Sequence, residues 1–120
     1  MKARSALFSL SLLGALAVPM VAVGASPSGQ DLYTQNCAMC HGANGKGAVP
    51  GAPDFTKAGG VLAQSDSVLS ERILNGYQSK GSPMAMPPMK GQLNEHQVHE
   101  VLEYLHKTFG VAPANGSSSD

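Results

Sequence analysis

An all-α domain of about three to five short helices is what this sequence predicts, on three observations. Apolar residues recur at helical spacing in three separate stretches, around Leu32, Leu69 and Val101. No run alternates apolar and polar residues as a half-buried strand would, and neither a βαβ order nor an internal repeat is present. Between the helical stretches lie long segments crowded with glycine and proline, from Gly42 to Gly60 and from Gln78 to Gln92. Loops of that length are uncommon inside a compact domain and point to function.

At the N-terminus, Lys2 and Arg4 precede an apolar run from Ala6 to Val23, and Val23-Gly24-Ala25 offers the small residues a signal peptidase reads. The run is nearly long enough to span a bilayer. Pro19 and the small-residue site favour cleavage after Ala25, and no cysteine stands there for a lipid anchor. The expected organisation is a signal peptide over 1–25, one domain over 26–111 and a disordered tail over 112–120. The location this implies is the periplasm, with no stable membrane insertion after cleavage.

The first helix is expected to begin near Ser28, to turn Leu32, Tyr33 and Asn36 inward and to run into a pair of cysteines. A second is expected over Asp66–Leu74, with Val68, Leu69, Ile73 and the stem of Arg72 facing in and Asn75-Gly76 as the stop. The third is the clearest. Asn94 and Gln97 have capping-box spacing, Val98, Val101, Leu102 and Leu105 form one apolar stripe, and Gly110 and Pro113 end the helix. His96, His99 and His106 share the opposite side with Glu100, Glu103 and Lys107 and are expected to be solvated.

A chain of 120 residues supports one domain, and removal of the leader leaves a core small enough to need a staple. The whole chain is balanced, with eight basic and eight acidic side chains, which gives no sign of nucleic acid as a partner. A monomer is expected. The basic residues Lys46, Lys57, Arg72, Lys80 and Lys90 lie in the middle of the chain, and Glu95, Glu100 and Glu103 lie on the last helix, a weak asymmetry that could orient an encounter with an acidic partner.

The staple is indicated by "CAMCH", where Cys37 and Cys40, the only two cysteines, stand three apart and His41 follows at once. A thioredoxin-like redox pair would need a preceding strand and a βαβ context. A structural zinc would need four ligands, and a disulfide between these two would close too short a loop to stabilise much. C-x-x-C-H is the attachment signature of c-type haem. Residues three apart on a helical turn lie on one side and can reach two neighbouring vinyl groups, while the next projects toward the iron. The implied cofactor is one covalently attached haem c, with Cys37 and Cys40 as its thioethers and His41 as an iron ligand.

From about Gly29 to Phe109 the chain resembles the small single-haem class I cytochromes c, in "LYTQNCAMCHG", "GKGAVPGAPDF" and "MPPMKGQLNEHQVHEVLEYL". The resemblance implies an all-α fold wrapped around the haem, with the first and last helices crossing and Tyr33 and Tyr104 as aromatic partners there. It also implies that the Pro53 carbonyl accepts from the His41 ring N–H and that Phe55 packs on the haem. The sixth iron ligand has three candidates, Met84, Met86 and Met89. Met86 is stiffened by Pro87-Pro88, and Met84 would point the opposite way in an extended segment. The family pattern places its ligand methionine before a proline and seven residues before a leucine, as Met86 and Leu93 stand. Met89 is then expected to pack against the haem.

The resemblance implies a soluble single-electron carrier with His/Met ligation. Its partners would be periplasmic redox proteins such as a dehydrogenase, a reductase or a terminal oxidase. A haem enzyme or gas binder with an open sixth site, and a haem subunit permanently docked in a larger oxidoreductase, are the alternative readings.

Overall fold

The computed structural model describes residues 14–110. Lys2 and Arg4 of the expected leader and the tail expected over 112–120 lie outside them. Four α-helices follow in order: α1 (Gly29–Asn36), α2 (Ala38–His41), α3 (Asp66–Asn75) and α4 (Glu95–Thr108), with a single 3₁₀ turn at Val61–Ala63 before α3. Among the described residues there is no strand, only isolated bridges between Tyr77 and Met86 and between Lys90 and Leu93.

Each long helix starts on a side-chain cap. Ser28 accepts from Asp31 N–H, and the Asp31 carboxylate accepts in return from Ser28 N–H at 3.0 Å, which closes a capping box. Hydrogen bonds from Ser28 hold the Asp31 carboxyl below its ordinary pKa. Asn94 and Gln97 form the box expected from their spacing, at 2.9 and 3.0 Å. Ser65 caps α3, which runs one residue past the expected end to Asn75 and stops at Gly76 with φ of 81°.

The core is built by Leu32 and Tyr33 of α1, Leu69 and Ile73 of α3 and the Val98–Val101–Leu102–Leu105 stripe of α4. α4 is the hub: α1 packs on one part of it and α3 on another. Val68, expected inward, is instead 39% exposed, because α3 buries only a narrow stripe and Leu69 and Ile73 fill it. Where α1 meets α4, Gly29 lies so close that a Cβ there would sit 2.0 Å from the carbonyl oxygen of Glu100. Tyr33, Tyr104 and Phe109 close the same corner, with ring centroids 5.4 to 5.8 Å apart. α4 ends at Thr108 with Phe109 as its C-cap, directly before Gly110.

Residues 14–28 carry no regular structure and lie exposed, Leu16 at 94% and Met20 at 99%. No helix among the described residues is long and apolar enough to cross a membrane.

Candidate cofactor site

The cysteine segment is wound as a tight turn. Helix α1 breaks at Cys37, whose carbonyl accepts from both Cys40 N–H at 3.1 Å and His41 N–H at 2.9 Å, so the cysteines and the histidine are presented from one turn. The chain then reverses at Gly42, and Gly47 N–H and Ala48 N–H return to the carbonyls of His41 and Cys40 at 2.8 and 2.9 Å. Three glycines with positive φ, Gly42, Gly45 and Gly47, make this reversal possible. Gly45 also lies under the Phe109 ring, where a Cβ would come within 2.8 Å of Cγ. Tyr33 donates its hydroxyl to the Gly42 carbonyl and ties the loop to α1; burial pushes the Tyr33 phenol up to about 12.

This turn faces a cleft of about 510 Å³ lined mainly by apolar side chains, including Phe55, Leu62, Leu69, Ile73, Leu102 and Leu105. Its size is that of a cofactor site. Cys37, Cys40 and His41 all border it, and both cysteines are free thiols. Burial, with a contribution from Cys40, pushes the Cys37 thiol up to about 11, so it is protonated at neutral pH. Burial also lowers the pKa of His41 and favours the neutral imidazole, the form that can offer a lone pair to a metal.

His41 stacks on Phe55, with centroids 4.8 Å apart and planes 17° from parallel. Its Nδ1 is sealed from solvent without any hydrogen-bond partner. The hydrogen bond expected between the His41 ring and the Pro53 carbonyl is therefore not made, although Pro53 also borders the cleft. A buried, unpartnered ring nitrogen beside an apolar cleft marks the histidine as a functional group.

The opposite wall is the methionine loop. Tyr77 and Met86 exchange backbone hydrogen bonds at 3.1 and 2.7 Å, and Met89 and Lys90 donate to the C-terminal carbonyls of α3 at Ile73 and Leu74, at 2.9 and 3.0 Å. The loop thus satisfies orphan helix carbonyls and is fixed at both ends. Met84, Met86 and Met89 all border the cleft. The segment bends at Pro83-Met84, where Ser82 Oγ donates to the Met84 carbonyl at 2.8 Å. Met89 is buried, Met86 half-buried and Met84 49% exposed.

His96 and His99 are exposed as expected. His106 is not simply solvated: its Nε2 lies 2.7 Å from Asp66 Oδ1, linking the last turn of α4 to the first turn of α3. The long sequence separation of the two residues hid this pair. Leu62 and Tyr77 on the cleft walls were likewise not singled out from the sequence, since each reads as ordinary loop, and Leu102 was read only as part of the α4 stripe.

Two thiols, a neutral imidazole, soft thioether sulfurs and apolar walls suit a large, flat, metal-bearing group better than a small polar substrate. Comparison with known proteins agrees. The chain is 28% identical over 103 residues to the cytochrome c subunit of a quinone-type alcohol dehydrogenase from Gluconobacter oxydans, covering 81% of this chain and 22% of that protein. It is 33% identical over 89 residues to the CcoP subunit of a cbb3-type cytochrome c oxidase from Rhodobacter capsulatus, covering 69% of this chain and 29% of that protein. The chain thus spans only about a quarter of the length of these relatives. Among solved structures, the c-type cytochrome KustC0563 superposes with a TM-score of 0.56 at 29% identity, covering 68% of this chain and 98% of that one. The c-type cytochrome XoxG from Methylobacterium extorquens shares the fold, with a TM-score of 0.53 at 22% identity, covering 77% of this chain and 57% of that one. Residues 26–109 match the cytochrome c family, and the chain belongs to that family, whose cofactor is a covalently bound haem c.

Proposed function

We propose that this protein is an exported single-electron carrier of the periplasm that would hold one haem c through Cys37 and Cys40, with His41 and Met86 as the side chains that would bind its iron. The observation that supports it most directly is the convergence of two free thiols, an orphaned imidazole and the anchored methionine loop on one apolar cleft. These residues fit the group the family carries. When bound, the haem supplies a one-electron iron couple, and His/Met ligation in an apolar site raises its potential.

The chain's own residues have separable tasks. The wound turn presents Cys37 and Cys40 side by side for thioether bonds, and His41 is delivered neutral. The Tyr77–Met86 bridge and the tie to α3 hold the Met86 backbone in place, which a weak thioether ligand requires. Met89, Phe55 and the apolar faces of α3 and α4 exclude water. The exposed segment 14–25, which carries no regular structure, supports its reading as part of a leader removed after Ala25.

Partners would be oxidoreductases of the same compartment, a dehydrogenase or a terminal oxidase; the named relatives are subunits of such assemblies. Expression with export and haem-attachment machinery tests the reading. Haem should remain bound on a denaturing gel, the purified chain should begin at Ser26, and the reduced protein should give the sharp visible band of a low-spin iron. A chain that releases its haem on denaturation, or whose ferrous form binds carbon monoxide at once, would overturn the carrier assignment. Retention in a complex at high salt would identify it as a docked subunit.

A further inference from the structure

Among the described residues Arg72 is the only permanently charged side chain on the cleft wall; Lys46, Lys57, Lys80 and Lys90 all lie elsewhere. It is half-buried, and among the described residues no carboxylate or carbonyl bonds it. Its one specific contact is the ring of Tyr77, with the guanidinium carbon 3.9 Å from the ring centroid. Stacking of this kind fixes the plane of a guanidinium without using any of its N–H donors. Half-buried at the wall of an apolar cleft, the guanidinium keeps its donors free for an anion that enters there. The sequence points the same way, since helix α3 spends a position of its cleft-lining face on arginine between Leu69 and Ile73.

We infer that Arg72, oriented by Tyr77, is the positioning residue that pairs with a carboxylate of the bound cofactor. This rests on the haem reading above, because haem is a flat apolar group whose only anionic substituents are two propionates. A planar fork suits a carboxylate in two-pronged geometry better than an ammonium would. The consequence is electrostatic. An unpaired carboxylate near the iron disfavours the added electron, and the guanidinium cancels that charge and keeps the carboxylate ionised across the physiological range.

The test is redox titration of the holoprotein between pH 5 and 8, comparing the wild type with Arg72→Gln, Arg72→Lys, Tyr77→Phe and Tyr77→Leu. Arg72→Gln should keep its covalent haem and low-spin spectrum. At pH 7 and fixed ambient potential its reduced-to-oxidised ratio should fall on the order of tenfold, the effect of one unit charge at intermediate dielectric. The ratio should recover as pH falls and the released carboxylate takes up a proton, while the wild-type potential stays nearly flat. Arg72→Lys should recover part of the loss, Tyr77→Phe should behave as wild type, and Tyr77→Leu should move in the direction of Arg72→Gln. If Arg72→Gln does not accumulate, Arg72→Lys and Tyr77→Leu decide by the same readout. A potential and pH profile indifferent to residue 72, even with slower reaction toward a redox partner, would overturn the inference. Absence of covalent haem from the wild type would instead remove the functional reading beneath it.

Discussion

A Cβ at position 29 would lie 2.0 Å from the Glu100 carbonyl oxygen and 2.7 Å from its carbonyl carbon, both backbone atoms that cannot rotate away. Gly29→Ala must therefore separate α1 from α4. The cost expected is at least the roughly 1–3 kcal/mol of an overpacked core, read as a lowered denaturant midpoint of the holoprotein. Nothing in the sequence distinguishes this glycine from the loop glycines, because its constraint comes from a residue on another helix. The methionines pose the reverse difficulty: local pattern singled out Met86, whereas all three border the cleft. Backbone anchoring does not separate Met86 from Met89: the N–H and carbonyl of Met86 both bond Tyr77, while Met89 N–H donates to Ile73 and its carbonyl accepts from Gln92 and Leu93. Met86→Ala should abolish the weak near-infrared sulfur-to-iron band, lower the potential and admit carbon monoxide to the ferrous iron, while Met84→Ala should keep the band. Met89→Ala should keep it too but cost about 2–5 kcal/mol, since Met89 is buried in the core. Disappearance of the band in Met84→Ala or Met89→Ala and not in Met86→Ala would transfer the ligand role.

At the level of elements, caps were legible and couplings were not. The Asn94–Gln97 box and the α4 stripe follow from spacing alone, because every group involved lies within one or two turns. The His106–Asp66 contact spans 40 residues and depends on how α3 lies against α4. Helical phase put His106 on the polar side of α4, but that side is partly covered by the start of α3. The pair is partly exposed, at 36% and 62%, so its contribution is that of a surface interaction. His106→Gln should cost no more than about 1 kcal/mol and leave the visible spectrum unchanged. A double-mutant cycle with Asp66→Asn measures the coupling, and a value near zero would show that the contact does not hold α3 to α4. Replacing His96 and His99 by glutamine should change neither stability nor spectrum. Ser28→Ala, which removes the Oγ that caps Asp31 N–H but leaves the bond from Ser28 N–H to the Asp31 carboxylate, should cost about 1 kcal/mol.

Over the whole molecule, the class of fold was legible because helical periodicity and the missing strand pattern are properties of the chain itself. The cofactor was legible because attachment chemistry demands cysteines and histidine on one turn. What the sequence could not convey is how much of the interior belongs to that cofactor. Helices α1 and α3 each pack on α4, while Leu69, Ile73, Leu102 and Leu105 also border a shared cleft of about 510 Å³. At about 24 cal/mol per Å³, an empty cavity of that size would cost on the order of 10 kcal/mol, comparable to the entire stability of a typical domain. The cleft is open and water can enter, so this figure is a ceiling, yet the alternative is to wet four apolar side chains. Removing the covalent attachment should therefore unfold the protein and not merely bleach it. Cys37→Ala with Cys40→Ala is expected to give a chain with weak helical circular dichroism, poorly dispersed amide resonances and rapid proteolysis of the loops over 42–60 and 77–92. A haem-free double variant with sharp, dispersed resonances and a cooperative thermal transition would show that the helices hold the fold unaided, and that the haem is a passenger in the cleft.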